Sequence, residues 1–104
     1  MKKFRIKIDP LALADIQDIT DWYNKQQEKL GNRFQETTIK QINKLAKYPN
    51  SFAIRYKEIR CIQVKKFPYM VHFSINEEPG FVEVLAVIST HRNPIIWEEK
   101  TKKT

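Results

Sequence analysis

The chain has 104 residues, 41% of them hydrophobic and 30% charged, and its 19 Lys and Arg against 12 Asp and Glu give a net charge of +7. That length supports one modest core in a single domain, 1–104, and excludes two; the composition is that of a folded chain, and the charge suits a polyanion or an acidic protein as partner. No apolar run approaches the roughly 18 residues that span a bilayer, and Met1-Lys2-Lys3-Phe4-Arg5-Ile6 lacks a signal-peptide segment, so no membrane and a cytoplasmic location are expected.

In chain order, Phe4-Arg5-Ile6-Lys7-Ile8 alternates apolar and basic residues, the period of a half-buried strand. Asp9-Pro10 then starts a helix: the carboxylate can accept unpaired N–H groups, and the proline ring presets φ. Ala12, Ile16, Ile19 and Tyr23 recur at helical spacing to about Gln27, with Asp15, Asp18 and Asp21 facing elsewhere. Leu30-Gly31-Asn32 breaks the pattern, Gly31 suiting a left-handed helix end. A second helix carries Phe34, Thr38, Ile42 and Leu45 on one stripe, with Ile39 and Ala46 beside it, and stops at Tyr48-Pro49. Two such helices form a hairpin whose apolar faces need a sheet.

Ser51 to Tyr56 reads as a short strand or an extended connector. Ile59 to Phe67, Tyr69 to Asn76 and Phe81 to Thr90 are the stronger strands, with Glu77-Glu78-Pro79-Gly80 as a turn. In the last strand Val82, Val84, Ala86 and Ile88 oppose Phe81, Leu85 and Val87, apolar on both faces, as expected of a strand inside the sheet. Asn93-Pro94 repeats the helix-start signal for a short helix to about Lys100, and residues 100–104 form a basic tail.

The chemistry-bearing residues gather from Glu58 onward. Cys61 is the only cysteine, so no intrachain disulfide can form, and its strand position favours a small buried hydrophobe over a reactive thiol. His72 and His91 have no Cys or carboxylate at ligand spacing, and the only glycines are Gly31 and Gly80, so neither a metal, a phosphate loop nor a cofactor is expected. What remains is a set of cations and imidazoles: Arg60, Lys65, Lys66, His72, His91 and Arg92. Metal-independent RNA cleavage needs a base for the 2′-OH, donors for the developing phosphorane and an acid for the leaving oxygen, which such groups can supply. The plainer alternative is an anion-binding strand edge. His72, out of phase with Val71 and Phe73, belongs on the opposite sheet face as a structural histidine. Tyr69 suits sheet packing with a polar tip, and Trp97 suits a clamp for the terminal helix.

The order strand, helical hairpin, antiparallel strands resembles the RelE/ParE superfamily of bacterial type II toxins. The matching stretches are Asp15-Ile16 with Trp22-Tyr23; Phe67-Pro68-Tyr69 followed by Val71, Phe73 and Ile75; and Ala86-Val87-Ile88 leading to His91-Arg92-Asn93-Pro94 and Trp97. The resemblance implies an α+β fold, a small antiparallel, microbial-ribonuclease-like sheet packed against the N-terminal hairpin, in the order β-α-α-β-β-β with a short C-terminal helix. It also implies a cognate antitoxin that masks the basic surface. Its branches differ in target: RelE-like members cut mRNA on the ribosome, whereas ParE-like members poison DNA gyrase without nuclease activity. On the first reading Arg60, Lys65, His91 and Arg92 are catalytic, with Lys66, Tyr69 and Trp97 binding substrate. On the second the hairpin and terminal segment contact gyrase. A third reading is a degenerate relative that binds only its antitoxin. Met70 stands where RelE-like nucleases carry an arginine, so the nuclease constellation is partial, which raises a ParE-like or target-unknown reading beside the nuclease.

Overall fold

The computed structural model describes residues 3–101. Strand β1 (Arg5–Ile8) leads into helices α1 (Pro10–Gln26) and α2 (Leu30–Lys44), a 3-10 turn at Pro49–Ser51, then β2 (Ile54–Tyr56), β3 (Ile59–Gln63), β4 (Tyr69–Asn76), β5 (Phe81–Ser89) and α3 (Pro94–Thr101). The strands form one sheet in the order β1-β5-β4-β3-β2. The α+β class and the hairpin hold, with two corrections. Ile54–Tyr56 is a strand, so four follow the hairpin, and the sheet is mixed, because β1 pairs parallel to β5. The hairpin carries the chain to β2 at the far edge, and three antiparallel steps then bring β5 back beside β1 in the same direction.

Asp9 takes the N-cap position of α1 with extended backbone, yet its carboxylate makes no capping bond; Pro10 does the starting. Gly31 is not the helix end. The left-handed residue is Lys29 (φ 69°), and Gly31 lies inside α2, buried where the two helices cross. Its N–H donates to Asn24 Oδ1 at 2.7 Å, and a Cβ there would collide with the Thr20 carbonyl oxygen. Close approach, not a turn, is what requires glycine here.

The hairpin covers one sheet face, where Phe34, Ile42 and Leu45 meet Val71, Phe73, Val82 and Val84. A smaller cluster lies on the other face, Cys61, Met70, Ala86 and Ile88 beneath Trp97 of α3. The β4–β5 register explains how β5 serves both. His72 pairs with Ala86 but Phe73 with Val84, leaving Leu85 as an extra residue. This bulge reverses the alternation, so Val82 and Val84 share the hairpin face with Val87, while Ala86 and Ile88 point the other way. The single phase expected along 82–88 is therefore broken, although β5 is interior as expected, between β1 and β4.

Strand β3 ends at Gln63, short of the expected Phe67. Val64 N–H donates to Tyr69 O at 2.8 Å, Phe67 N–H to Val64 O at 3.2 Å, and Lys66 is left-handed (φ 70°), so Lys65 and Lys66 lie in a turn. Lys100 and Thr101 belong to α3 and not to a tail; residues 102–104 of the expected tail lie outside the described residues.

Candidate functional site

Pairing of β1 with β5 stops at Ile8–Val84, leaving the rest of that β5 edge for α1. Asp15 of α1 fills the gap: one carboxylate oxygen accepts the Val87 N–H at 3.0 Å, and the other lies 2.6 Å from Lys100 Nζ of α3. One side chain thus ties helix, strand edge and terminal helix together. Around it is a cavity of about 220 Å³ lined by Asp15, Asp18, Tyr69, Ser89, Arg92 and Lys100, with Ile19, Val87 and Ile88 as its apolar wall. Lys100 is held by Asp15, while Arg92, exposed at the exit of β5, takes no part in that pair. Such a site can grip a carboxylate or carbonyl through the guanidinium. Asp18, Tyr69 and Ser89 add further polar groups to the same wall, and His91 is not among the lining residues.

Of the residues singled out in the sequence, the structure brings Tyr69 and Arg92 together at this cavity. Tyr69 packs as expected, half-buried, with its ring against Tyr23 and Phe34 at 6.2 and 5.5 Å between centroids. His91 is exposed beside Arg92; its backbone N–H donates to Ser89 Oγ at 3.2 Å. Lys65 and Lys66 lie elsewhere, next to α2, where Lys65 N–H donates to Gln41 Oε1 at 2.7 Å. Arg60 pairs with Phe73 across β3–β4 and donates to the carbonyls of Phe52 (2.5 Å) and Asn50 (3.3 Å), fastening the 3-10 turn. Of Arg60, Lys65, His91 and Arg92, the four residues of the nucleolytic reading, Arg92 alone lines the cavity.

Trp97 and His72 are on the far face. Trp97 is buried, 5.0 Å from the His72 ring and 5.6 Å from the Tyr56 ring, with Arg55 over its face at 5.9 Å. It clamps α3 onto the sheet. His72 is fully buried. Its Nδ1 lies 2.9 Å from the Tyr56 hydroxyl and 3.4 Å from Cys61 Sγ, and its Nε2 has no partner among the described residues. Burial, reinforced by the cations Arg55 and Lys100, pushes the imidazole down to about 4, so it is neutral near pH 7. Burial also pushes the Cys61 thiol up to about 11, which makes it a packing residue and not a nucleophile. Met70 lies in this same cluster, 9% exposed, and does not line the Arg92 cavity, although its cross-strand partner Ile88 does.

Asp15 and Lys100 are the site residues that sequence reasoning passed over. Asp15 stands in sequence among three α1 carboxylates facing away from the apolar stripe, and in the Asp15-Ile16 stretch of the resemblance without a site role, while Lys100 stands where the terminal helix gives way to the tail. They are 85 positions apart, and nothing local marks either one.

Fold and site together define a small α+β architecture, a helical hairpin on a five-stranded sheet with a cationic strand exit and a terminal helix on the other face. The family model described as ParE toxin of type II toxin-antitoxin system, parDE, matches residues 6–94, and the chain belongs to that family. No curated protein sequence matches it. Among solved structures it resembles the chromosomal ParDE toxin–antitoxin system from P. aeruginosa at TM-score 0.75 and 17% identity, covering 86% of this chain and 98% of that one. The isolated E. coli RelE toxin is similar at TM-score 0.64 and 18% identity, covering 92% and 94%. The toxin–antitoxin complex RelBE from E. coli gives TM-score 0.64 and 18% identity, covering 86% and 99%. At such identities these likenesses establish the fold.

Proposed function

We propose that this chain is a ParE-type toxin that acts by binding its target, DNA gyrase, and not by cutting RNA, and that a cognate antitoxin neutralises it in the cytoplasm. The observation that carries this reading is Met70. It occupies the position where RelE-like nucleases carry arginine, and it is a neutral side chain buried in the cluster under α3 and absent from the lining of the Tyr69–Arg92 cavity, so position 70 supplies no cation there. The dispersal of Arg60, Lys65 and His91 supports the same conclusion, because a phosphorane must be met by donors at one point.

A protein-binding surface also has support. Leu11 and Trp22 of α1 are 66% and 55% exposed, and with Asp15 and Asp18 they follow the i, i+4, i+7, i+11 spacing of one helix stripe that borders the cavity. Large apolar side chains beside a guanidinium suit a protein contact better than a nucleotide pocket.

The test is inducible expression without antitoxin, read by plasmid supercoiling and by mapping of mRNA 5′ ends in the same cells. Lost supercoiling with intact mRNA is expected, and Arg92→Gln or Trp22→Ala should relieve it by about tenfold or more in effective dose, as removal of an interface anchor does. Ribosome-dependent mRNA cuts that vanish in His91→Ala would instead establish the nuclease. Unaffected growth would leave an antitoxin-binding relative.

A further inference from the structure

The net charge of +7 is concentrated in one part of the chain. Residues 29–66 contain ten Lys and Arg against Glu36 and Glu58, a charge of +8, so the remainder of the chain is close to neutral. On α2, Arg33, Thr37, Lys40 and Lys44 follow spacings of four, three and four, a single stripe turned away from the buried Phe34, Thr38 and Ile42. The β3–β4 turn adds Lys65 and Lys66 alongside. Gln41 fastens that turn to the helix at two points, its Nε2 donating to Gln63 O at 2.9 Å and its Oε1 accepting Lys65 N–H at 2.7 Å. A left-handed backbone at Lys66 (φ 70°) belongs to the same turn. Arg33, Thr37, Lys65 and Lys66 line a cavity of about 420 Å³ with Leu30 and Phe67, and Lys65 and Lys44 line the next one with Gln41 and the exposed Tyr48. The ion pairs Lys57–Glu98 and Lys100–Asp15 involve none of these cations.

We infer that this face, α2 with the β3–β4 turn, is a second binding surface, separate from the Arg92 cavity, for the sugar–phosphate backbone of a nucleic acid. Cations in a row, held in mutual register by a side-chain clamp and accompanied by a hydroxyl donor, suit a regularly repeating anion. The exposed Tyr48 ring at the end of the row offers a platform for a base or sugar. Recognition is of phosphates, without sequence preference, and it goes beyond the proposed action on gyrase, which is assigned to the α1 stripe and the Arg92 cavity.

Binding of the purified full chain to short DNA duplexes, and to single-stranded DNA and RNA of unrelated sequence, is measured against salt. If Arg33, Lys40, Lys44, Lys65 and Lys66 each neutralise one phosphate, log affinity for duplex should fall with log salt at a slope of about −4.5, and at about −3.5 for single strands. Arg33→Gln, Lys65→Gln and Lys66→Asn together should bring the duplex slope to about −2 and weaken binding by about tenfold or more, Asn being tolerant of the left-handed backbone. Gln41→Ala, which removes no charge, should weaken binding a few-fold by releasing the turn. A control with the same charge loss elsewhere, Arg5→Gln, Lys7→Gln and Lys25→Gln, should bind within about twofold of the parent. Equal loss in this control would reduce the effect to net charge and overturn the proposal. So would a polyglutamate peptide that binds as tightly as the nucleic acids and is weakened by the same variants, which would make the face a seat for an acidic polypeptide.

Discussion

The two faces of the sheet are built on different principles. Under the helical hairpin, the interior is filled mainly by large side chains in ring-to-ring contact, Phe34, Phe67, Tyr23 and Tyr69, with the hydroxyls of Thr20 and Thr38 buried on the helices. Under α3, a smaller cluster surrounds a buried polar group, with His72 held between Tyr56, Cys61 and Trp97. Shape holds the first face together. The second depends on a neutral imidazole and a few hydrogen bonds, and the Asp15–Lys100 link at the β5 edge joins the two. Burying a polar group costs stability unless it is paired, so the α3 face should be the weaker and the one that responds to pH.

The largest expected effect tests the hairpin side. Gly31→Ala puts a methyl into the Thr20 carbonyl and within 2.7 Å of the Asn24 side chain. Because the obstacle is backbone, the helices must part, and a loss of upwards of about 3 kcal/mol is expected in denaturant unfolding. A loss under about 1 kcal/mol would mean that the helix crossing yields easily, against the packing argument.

Acid should act through the other face. His72 is held at about 4 when folded, against 6.5 for an ordinary imidazole, so between those values the unfolded chain binds a proton that the folded chain does not. Stability therefore falls as pH drops from about 6.5 toward 4, by up to an order of 3 kcal/mol, and is insensitive to this group above that window. His72→Gln should flatten the slope while lowering stability at neutral pH. An unchanged slope in that variant would assign the acid response to other groups.

Asp15→Ala should come next, at about 2 kcal/mol, because it leaves the Val87 N–H unpaired and releases Lys100. Hydrogen exchange can localise the loss: faster exchange at Val87 and in α3, with α2 unchanged, would mark Asp15 as the link between the faces. The smallest effect is Tyr56→Phe, about 1 kcal/mol from the lost contacts to His72 Nδ1 and Thr101 Oγ1. If Tyr56→Phe cost more than Gly31→Ala, the ranking of the two faces would be reversed.

The same contrast explains what could be read without a structure. The hairpin face follows from periodicity: Phe34, Thr38, Ile42 and Leu45 were one stripe in sequence and all four are buried. His72 was legible as a residue of the opposite face by strand alternation alone. The α3 face and the cavity were mostly not legible. A single bulge residue, Leu85, shifts β5 by one position, and its signature is hidden in a strand apolar on both sides. The cations of the site look alike in sequence, whether one fastens a carbonyl (Arg60), stands in a turn (Lys65) or lines the cavity (Arg92).

By itself, then, the sequence determined the succession of strand, helical hairpin, later strands and terminal helix, the hairpin stripe, the family resemblance and the absence of an arginine after Tyr69. These rest on local rules of spacing, capping and alternation, which act within a few residues. The tertiary structure alone decided that Gly31 serves helix contact, that β1 lies parallel to β5, and that Asp15 and Lys100 meet across 85 residues. It likewise decided which cations share a surface. Side-chain partners over such distances are set by how faces pack, and packing leaves no mark on the neighbouring residues in the chain.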